Sequence, residues 1–240
     1  MKVLVFDNYN EMSVAAANII ADVVRAKPDG VLGLATGSTP VGMYNCLADM
    51  CKNGELDFSN IKSVNLDEYY PISPDNRQSY RYFMNHNLFY HININLENTN
   101  VPAGDAADAD AECERYEKLI DSLGGIDVQV LGIGQNGHIG FNEPEEKLYS
   151  DTHVTALTES TMQANARFFS EDEIMPDKAL TMGMGSIFKA DKILVLANGK
   201  SKRDAVKQLV SGRITTSCPV TLLNLHKDVT LICDKEALGE

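Results

Sequence analysis

Short, uninterrupted apolar runs recur along this 240-residue chain, and a stretch of helical spacing follows most of them. The runs lie at 2–6 (KVLVF), 31–35 (VLGLA), 61–66 (IKSVNL), 126–133 (IDVQVLGI), 193–197 (ILVLA) and 229–233 (VTLIC). Between the first two, Met12, Ala16, Ile19, Ile20, Val23 and Val24 repeat at helical intervals until Pro28 and Gly30 stop them. Further helices are predicted from about Pro40 to Lys52, over 78–90, over 106–122, and over 201–210 before Gly212. Strands with so little internal alternation are buried on both faces, as in a mainly parallel sheet sandwiched by helices. The expected fold is therefore α/β, a doubly wound, mainly parallel sheet of modified Rossmann-like type with helices on both faces. No repeat or linker divides the chain, so residues 1–240 are read as one domain, with the first run as a buried strand.

Charge and cysteine content narrow the function. Lys and Arg number 21 against 34 Asp and Glu, a formal net charge of −13. A nucleic-acid partner needs a basic face, which this balance argues against. One small anionic ligand remains compatible, since a few cations and backbone N–H groups suffice for a phosphate. The N-terminal run is broken at Asp7, too short for a signal peptide, and no apolar run approaches membrane-spanning length. A soluble cytoplasmic protein without a membrane partner is expected. Cys46, Cys51, Cys113, Cys218 and Cys233 include no C-x-x-C pair, so they are read as reduced, mostly buried thiols.

In doubly wound sheets ligands sit where loops leave the carboxyl ends of the strands, and three such loops carry chemistry. Thr36-Gly37-Ser38-Thr39-Pro40 places hydroxyls and backbone N–H groups before a helix. It is either a phosphate seat or simply a capped helix start. Asn65-Leu66-Asp67-Glu68-Tyr69 ends a strand with adjacent carboxylates. Strand alternation sends them opposite ways, so one can enter a crevice as a general base while the other meets a neighbour or solvent. GIGQNGHIGFNEP, 132–144, begins with the G-x-G-x-x-G spacing of a dinucleotide turn. A dinucleotide site needs a helix next, whereas here Gly140 and Pro144 oppose one. The loop is better read as projecting Asn136, His138 and Glu143 into one site for proton exchange. His138 and Glu143 lack a further histidine at ligand spacing, so a metal is not expected. His86 and His91 read as packing or surface residues, and Met182 and Met184 as core. Cations to balance a phosphate are Arg167, Lys200, Lys202 and Arg203.

Taken together, GLATGSTP at 33–40, NLDEY at 65–69, LGIGQNGHIGFNEP at 131–144, ALTESTMQANARFF at 156–169 and GKSK at 199–202 resemble the isomerising glucosamine-6-phosphate deaminases, in that family's order. The resemblance implies conversion of glucosamine 6-phosphate and water into fructose 6-phosphate and ammonia, in amino-sugar breakdown, without metal or other cofactor. It implies Asp67 as the base that moves a proton between C2 and C1. His138 would be the ring-opening catalyst, supported by Asn136 and Glu143. Gly37, Ser38, Thr39, Arg167 and Lys202 would hold the phosphate, with Lys200 as the alternative to Lys202. Some members carry Asp where this chain has Asn136. Longer members have cations for an allosteric ligand where Thr155 and His153 stand here, so no activation by N-acetylglucosamine 6-phosphate is expected. The enzyme rival is a 6-phosphogluconolactonase, and the non-enzyme rival a sugar-phosphate sensor. Whether the chain is a monomer or a homo-oligomer is not legible.

Overall fold

A computed structural model of the chain describes residues 1–158, 162 and 175–240. Arg167 and the acidic triplet at 171–173 lie outside the described residues. In chain order the elements are β1 (Lys2–Phe6), α1 (Tyr9–Ala26), β2 (Val31–Leu34), α2 (Val41–Lys52), β3 (Lys62–Asn65), β4 (Asp67–Tyr70), α3 (Tyr80–Asn87), β5 (Thr99–Asn100) and α4 (Ala109–Ser122). There follow β6 (Val128–Gly132), β7 (His153–Ala156), β8 (Lys178–Thr181), α5 (Met184–Phe188), β9 (Lys192–Ala197), α6 (Arg203–Val210), β10 (Val229–Asp234) and α7 (Lys235–Leu238).

Seven strands form one sheet in the order β1-β10-β9-β6-β2-β3-β5, and every neighbouring pair is parallel. Consecutive residues of β2, β9 and β10 are nearly all buried, so both faces of the sheet centre are covered, as the uniform apolar runs require. Helix α1 shows how the sequence pattern becomes packing. The Asn8 side chain caps its first turn through Glu11 N–H, and Met12, Ala16, Ala17, Ile20 and Val24 form its buried stripe. Met182 and Met184 belong to the core, and all five cysteines are free.

Two expectations need correction. The first run is not a buried strand: β1 is the sheet edge, paired among the described residues with β10 alone, and Val3 and Val5 are exposed. A second sheet also exists, antiparallel and three-stranded, in the order β4-β8-β7. The chain leaves the parallel sheet after Asn65, crosses at Leu66 and enters the small sheet at Asp67. Leu66 bridges the two, donating to Leu34 O at 3.2 Å and accepting from Met182 N at 2.8 Å. Sheet order reverses between β6 and β2, and their carboxyl-end loops are thus left apart to bound a crevice.

Candidate active site

A cavity of about 910 Å³ opens at that switch point. Gly37, Ser38 and Thr39 follow β2, Asp67 begins β4, Asn136, His138 and Glu143 follow β6, and Lys202 follows β9. All of them line the cavity. The described residues to which the resemblance gives a catalytic or phosphate-binding role, Lys200 excepted, therefore line one cavity.

The loop after β6 contains no helix, which removes the dinucleotide reading of its glycines. Gly134 donates to His138 O at 2.9 Å, closing a tight turn. A Cβ at Gly134 would lie 2.3–2.4 Å from three atoms of the His138 ring, so only glycine lets the imidazole lie against this backbone. Nδ1 of that ring stands 3.2 Å from Glu143 Oε1, close enough for an ion pair but misaligned for a hydrogen bond. Asn136 joins the group from both ends of its amide. Its Nδ2 donates to Glu143 Oε2 at 2.6 Å, and its Oδ1 accepts from His138 N at 3.2 Å. Phe141 N donates to Thr181 Oγ1 at 3.1 Å, and the Asn142 amide to Met182 O at 2.8 Å, so β8 braces the far side of the loop.

The two adjacent carboxylates diverge as strand alternation requires. Glu68, 1% exposed, turns toward the start of α3 and accepts from Tyr69 N, Ser79 Oγ, Tyr80 N and Arg81 N at 2.7–2.9 Å. Burial pushes its carboxyl up, and those bonds pull it back down. Asp67, 6% exposed, faces the cavity and accepts no hydrogen bond among the described residues. Burial, with the Glu68 charge behind it, pushes its carboxyl up to about 8. Such a group can give and take a proton near neutral pH.

At the other end, α2 starts at Val41 with Pro40 already helical, and neither Ser38 nor Thr39 caps it. The capped-helix reading of these hydroxyls therefore fails. The N–H groups of Gly37, Ser38 and Thr39 donate to nothing among the described residues. The Tyr9 hydroxyl holds the loop in place, reaching Ser38 O at 3.0 Å and accepting from Gly42 N at 2.8 Å. Free amides with a cation beside them can take an anion. Lys202 provides that cation; it is half-buried, and burial lowers its ammonium pKa. Lys200 instead lies 3.7 Å from Glu236 at the surface.

Sequence reasoning missed part of the wall. Arg77, Gln78, Tyr80 and Phe141 also line the cavity, and the Tyr80 and Phe141 rings stack with centroids 6.2 Å apart. The one available signal was Ser79, which caps α3 and fixes where the preceding loop ends. Nothing local tied that loop to the cavity.

The model of the family described as glucosamine-6-phosphate isomerases/6-phosphogluconolactonase matches residues 8–232. The chain belongs to that family. A relative from Clostridium beijerinckii named glucosamine-6-phosphate deaminase is 56% identical over 236 residues, 98% of this chain and 98% of its own. One of the same name from Halothermothrix orenii is 54% identical over 237 residues, covering 99% and 98%. Among solved structures, a monomeric glucosamine-6-phosphate deaminase superposes with a TM-score of 0.96 at 49% identity, covering 100% of this chain and 99% of that one. The 6-phosphogluconolactonase of Trypanosoma brucei shares the fold at a TM-score of 0.77 and 22% identity, covering 99% and 97%. Among the described residues, no helix of this family member is long and apolar enough to cross a membrane.

Proposed function

We propose that the protein is a glucosamine-6-phosphate deaminase, forming fructose 6-phosphate and ammonia from glucosamine 6-phosphate and water. The observation that carries this reading is Asp67, a buried carboxyl with no hydrogen-bond partner among the described residues, set in the same cavity as the His138–Glu143–Asn136 group. A lactone hydrolase has no use for a base at C2. The relatives above 50% identity bear the deaminase name, whereas the lactonase shares only the fold.

In the proposed sequence the Gly37–Thr39 amides, with Lys202 and Arg167, hold the phosphate. His138, steadied by Glu143 through Nδ1, takes the proton of the anomeric hydroxyl and delivers one to the ring oxygen, so the ring opens to a C1 aldehyde. That carbonyl acidifies the C2 hydrogen. Asp67 removes it as a proton and returns it to C1, while O1 gains a proton and the amine nitrogen gives one up, which leaves a C1 hydroxyl and an imine at C2. Water adds there, ammonia departs and the C2 ketone remains. No electrons are exchanged with a second reactant, so the chemistry needs no cofactor. The setting would be amino-sugar breakdown in the cytoplasm.

The assay is ammonia release from glucosamine 6-phosphate, with fructose 6-phosphate measured in parallel. Equal amounts of the two support the reading; substrate binding without ammonia would end it. Because the base must be ionised, kcat/KM is expected to climb with pH and level off above about 8, where the Asp67 carboxyl loses its proton. A flat profile across that range would contradict the assignment. Asn136→Asp sets a carboxylate oxygen where the amide now stands 2.6 Å from Glu143 Oε2, and two such oxygens must share a proton. The variant's pH–rate curve should therefore be displaced from the parent's, and superimposable curves would deny Asn136 its place in the group.

A further inference from the structure

Asp234 closes β10 and is 6% exposed. Both its carboxylate oxygens accept from Gly199 N at 3.0 Å, and Oδ1 also accepts from Ala237 N at 2.8 Å, capping α7. Gly199 has φ 81° and ψ 159°, a conformation that residues bearing a Cβ avoid. An added Cβ would meet no atom within 4 Å, so the requirement for glycine is one of backbone conformation and not of space.

Cavity elements flank this turn on both sides. Just before it, Asn198 Oδ1 accepts from Thr39 Oγ1 at 2.8 Å, which pins the loop after β2 to the loop after β9. Just after it, Lys202 N donates to Gly199 O at 3.1 Å and closes the 3-10 turn Lys200–Lys202. One buried carboxylate therefore sets the backbone from which both the Thr39 contact and the Lys202 cation are hung. Bonds from N–H to an ionised carboxylate are among the stronger hydrogen bonds, which suits Asp234 to this task.

We propose that Asp234 is a positioning residue for phosphate binding: through Gly199 it holds Asn198 and Lys202 in register with Gly37–Thr39. It touches no substrate, and the inference rests on the phosphate seat of the proposed function. Without it the turn is released, and a phosphate has to order the turn again on binding. Asp67 and His138, which hang on other strands, are left as they were.

The test titrates the full-length protein with inorganic phosphate by calorimetry, alongside steady-state deamination, for wild type, Asp234→Ala, Asp234→Asn and Gly199→Ala. Phosphate Kd and substrate KM are expected to rise together by about tenfold in Asp234→Ala and in Gly199→Ala, with kcat retained. Asp234→Asn keeps one acceptor oxygen and should show a smaller rise. The double variant Asp234→Ala/Gly199→Ala, titrated beside them, should bind no more weakly than the weaker of the two single ones, because both break the same turn. Phosphate Kd at the wild-type value, a fall in kcat with Kd unchanged, or effects that add would each overturn the proposal. If Asp234→Ala does not fold, Gly199→Ala decides, since its Cβ has open space and only the turn is altered. If the wild type binds phosphate but releases no ammonia, the reaction assignment fails while the phosphate titrations still judge Asp234.

Discussion

Asp67→Asn is expected to lower the rate of ammonia release by about 10²–10⁴, the span usual for a general acid–base group, and to raise the melting temperature. The two effects share one cause. The carboxyl that must ionise to take the C2 proton is buried, unpaired by any hydrogen bond among the described residues, and pushed up from 3.8 to about 8. Between those values the folded protein holds a proton that the unfolded chain has released. Stability therefore falls as pH rises through that window, and the full penalty is present above about 8. At about 1.4 kcal/mol per pKa unit, a shift of this size corresponds to a penalty on the order of 5 kcal/mol. For a chain of this length that corresponds to roughly 10–20 °C. Asparagine carries no charge to desolvate, so the variant should melt higher than the parent at pH 8, with the gap closing toward pH 4. Scanning calorimetry at the two pH values, beside the ammonia assay, reads both effects. A variant that melts lower at pH 8, or turns over at the parent's rate, would remove Asp67 from the role.

Gly134→Ala should be nearly as damaging without replacing any reacting group. The added methyl would fall 2.3 Å from His138 Cε1 and 2.4 Å from each ring nitrogen, so the imidazole has to move. Displacing a catalytic group by about 1 Å costs on the order of 10² in rate, and kcat should fall by at least that much. Phosphate affinity should hold, since Gly37–Thr39 and Lys202 belong to other loops. Retained turnover in this variant would mean that His138 does not work from the position seen here. Weakened phosphate binding would mean the loops are coupled more tightly than their contacts suggest.

How far the sequence carried the reading depended on whether a residue's surroundings were local. Six of the seven strands of the parallel sheet were legible as apolar runs, whereas β5, the two residues Thr99–Asn100, offers no such run. The same signal misplaced β1, since an apolar run does not distinguish an edge from a centre, and Val3 and Val5 are open to solvent. Strands β4, β7 and β8 were not legible: each has four residues of mixed polarity, and they exist because they pair with one another. In the site, alternation alone separated Asp67 from Glu68. Which of them faced the cavity became clear only once Glu68 was seen to gather the amides at the start of α3. Lys200 and Lys202 were likewise indistinguishable until Glu236 occupied the first. The tie between Asp234 and Gly199 spans 35 residues, and no local pattern could have announced it.

The contact between Thr39 and Asn198 joins residues 159 apart in the chain. Strand β2 emerges early in synthesis and β9 late, so the phosphate seat is among the last parts of the molecule to close. Forming such distant contacts requires most of the chain's loop entropy to be spent first. A nascent or truncated chain that ends before residue 198 would own the acid–base loop, Asp67 and the Gly37–Thr39 amides, yet lack the Asn198 contact and the Lys202 cation. Conversely, a bound sugar phosphate draws the folding equilibrium toward the completed sheet by mass action. On the proposed function, substrate abundance would then act on how much of this protein stays folded as well as on how fast it works.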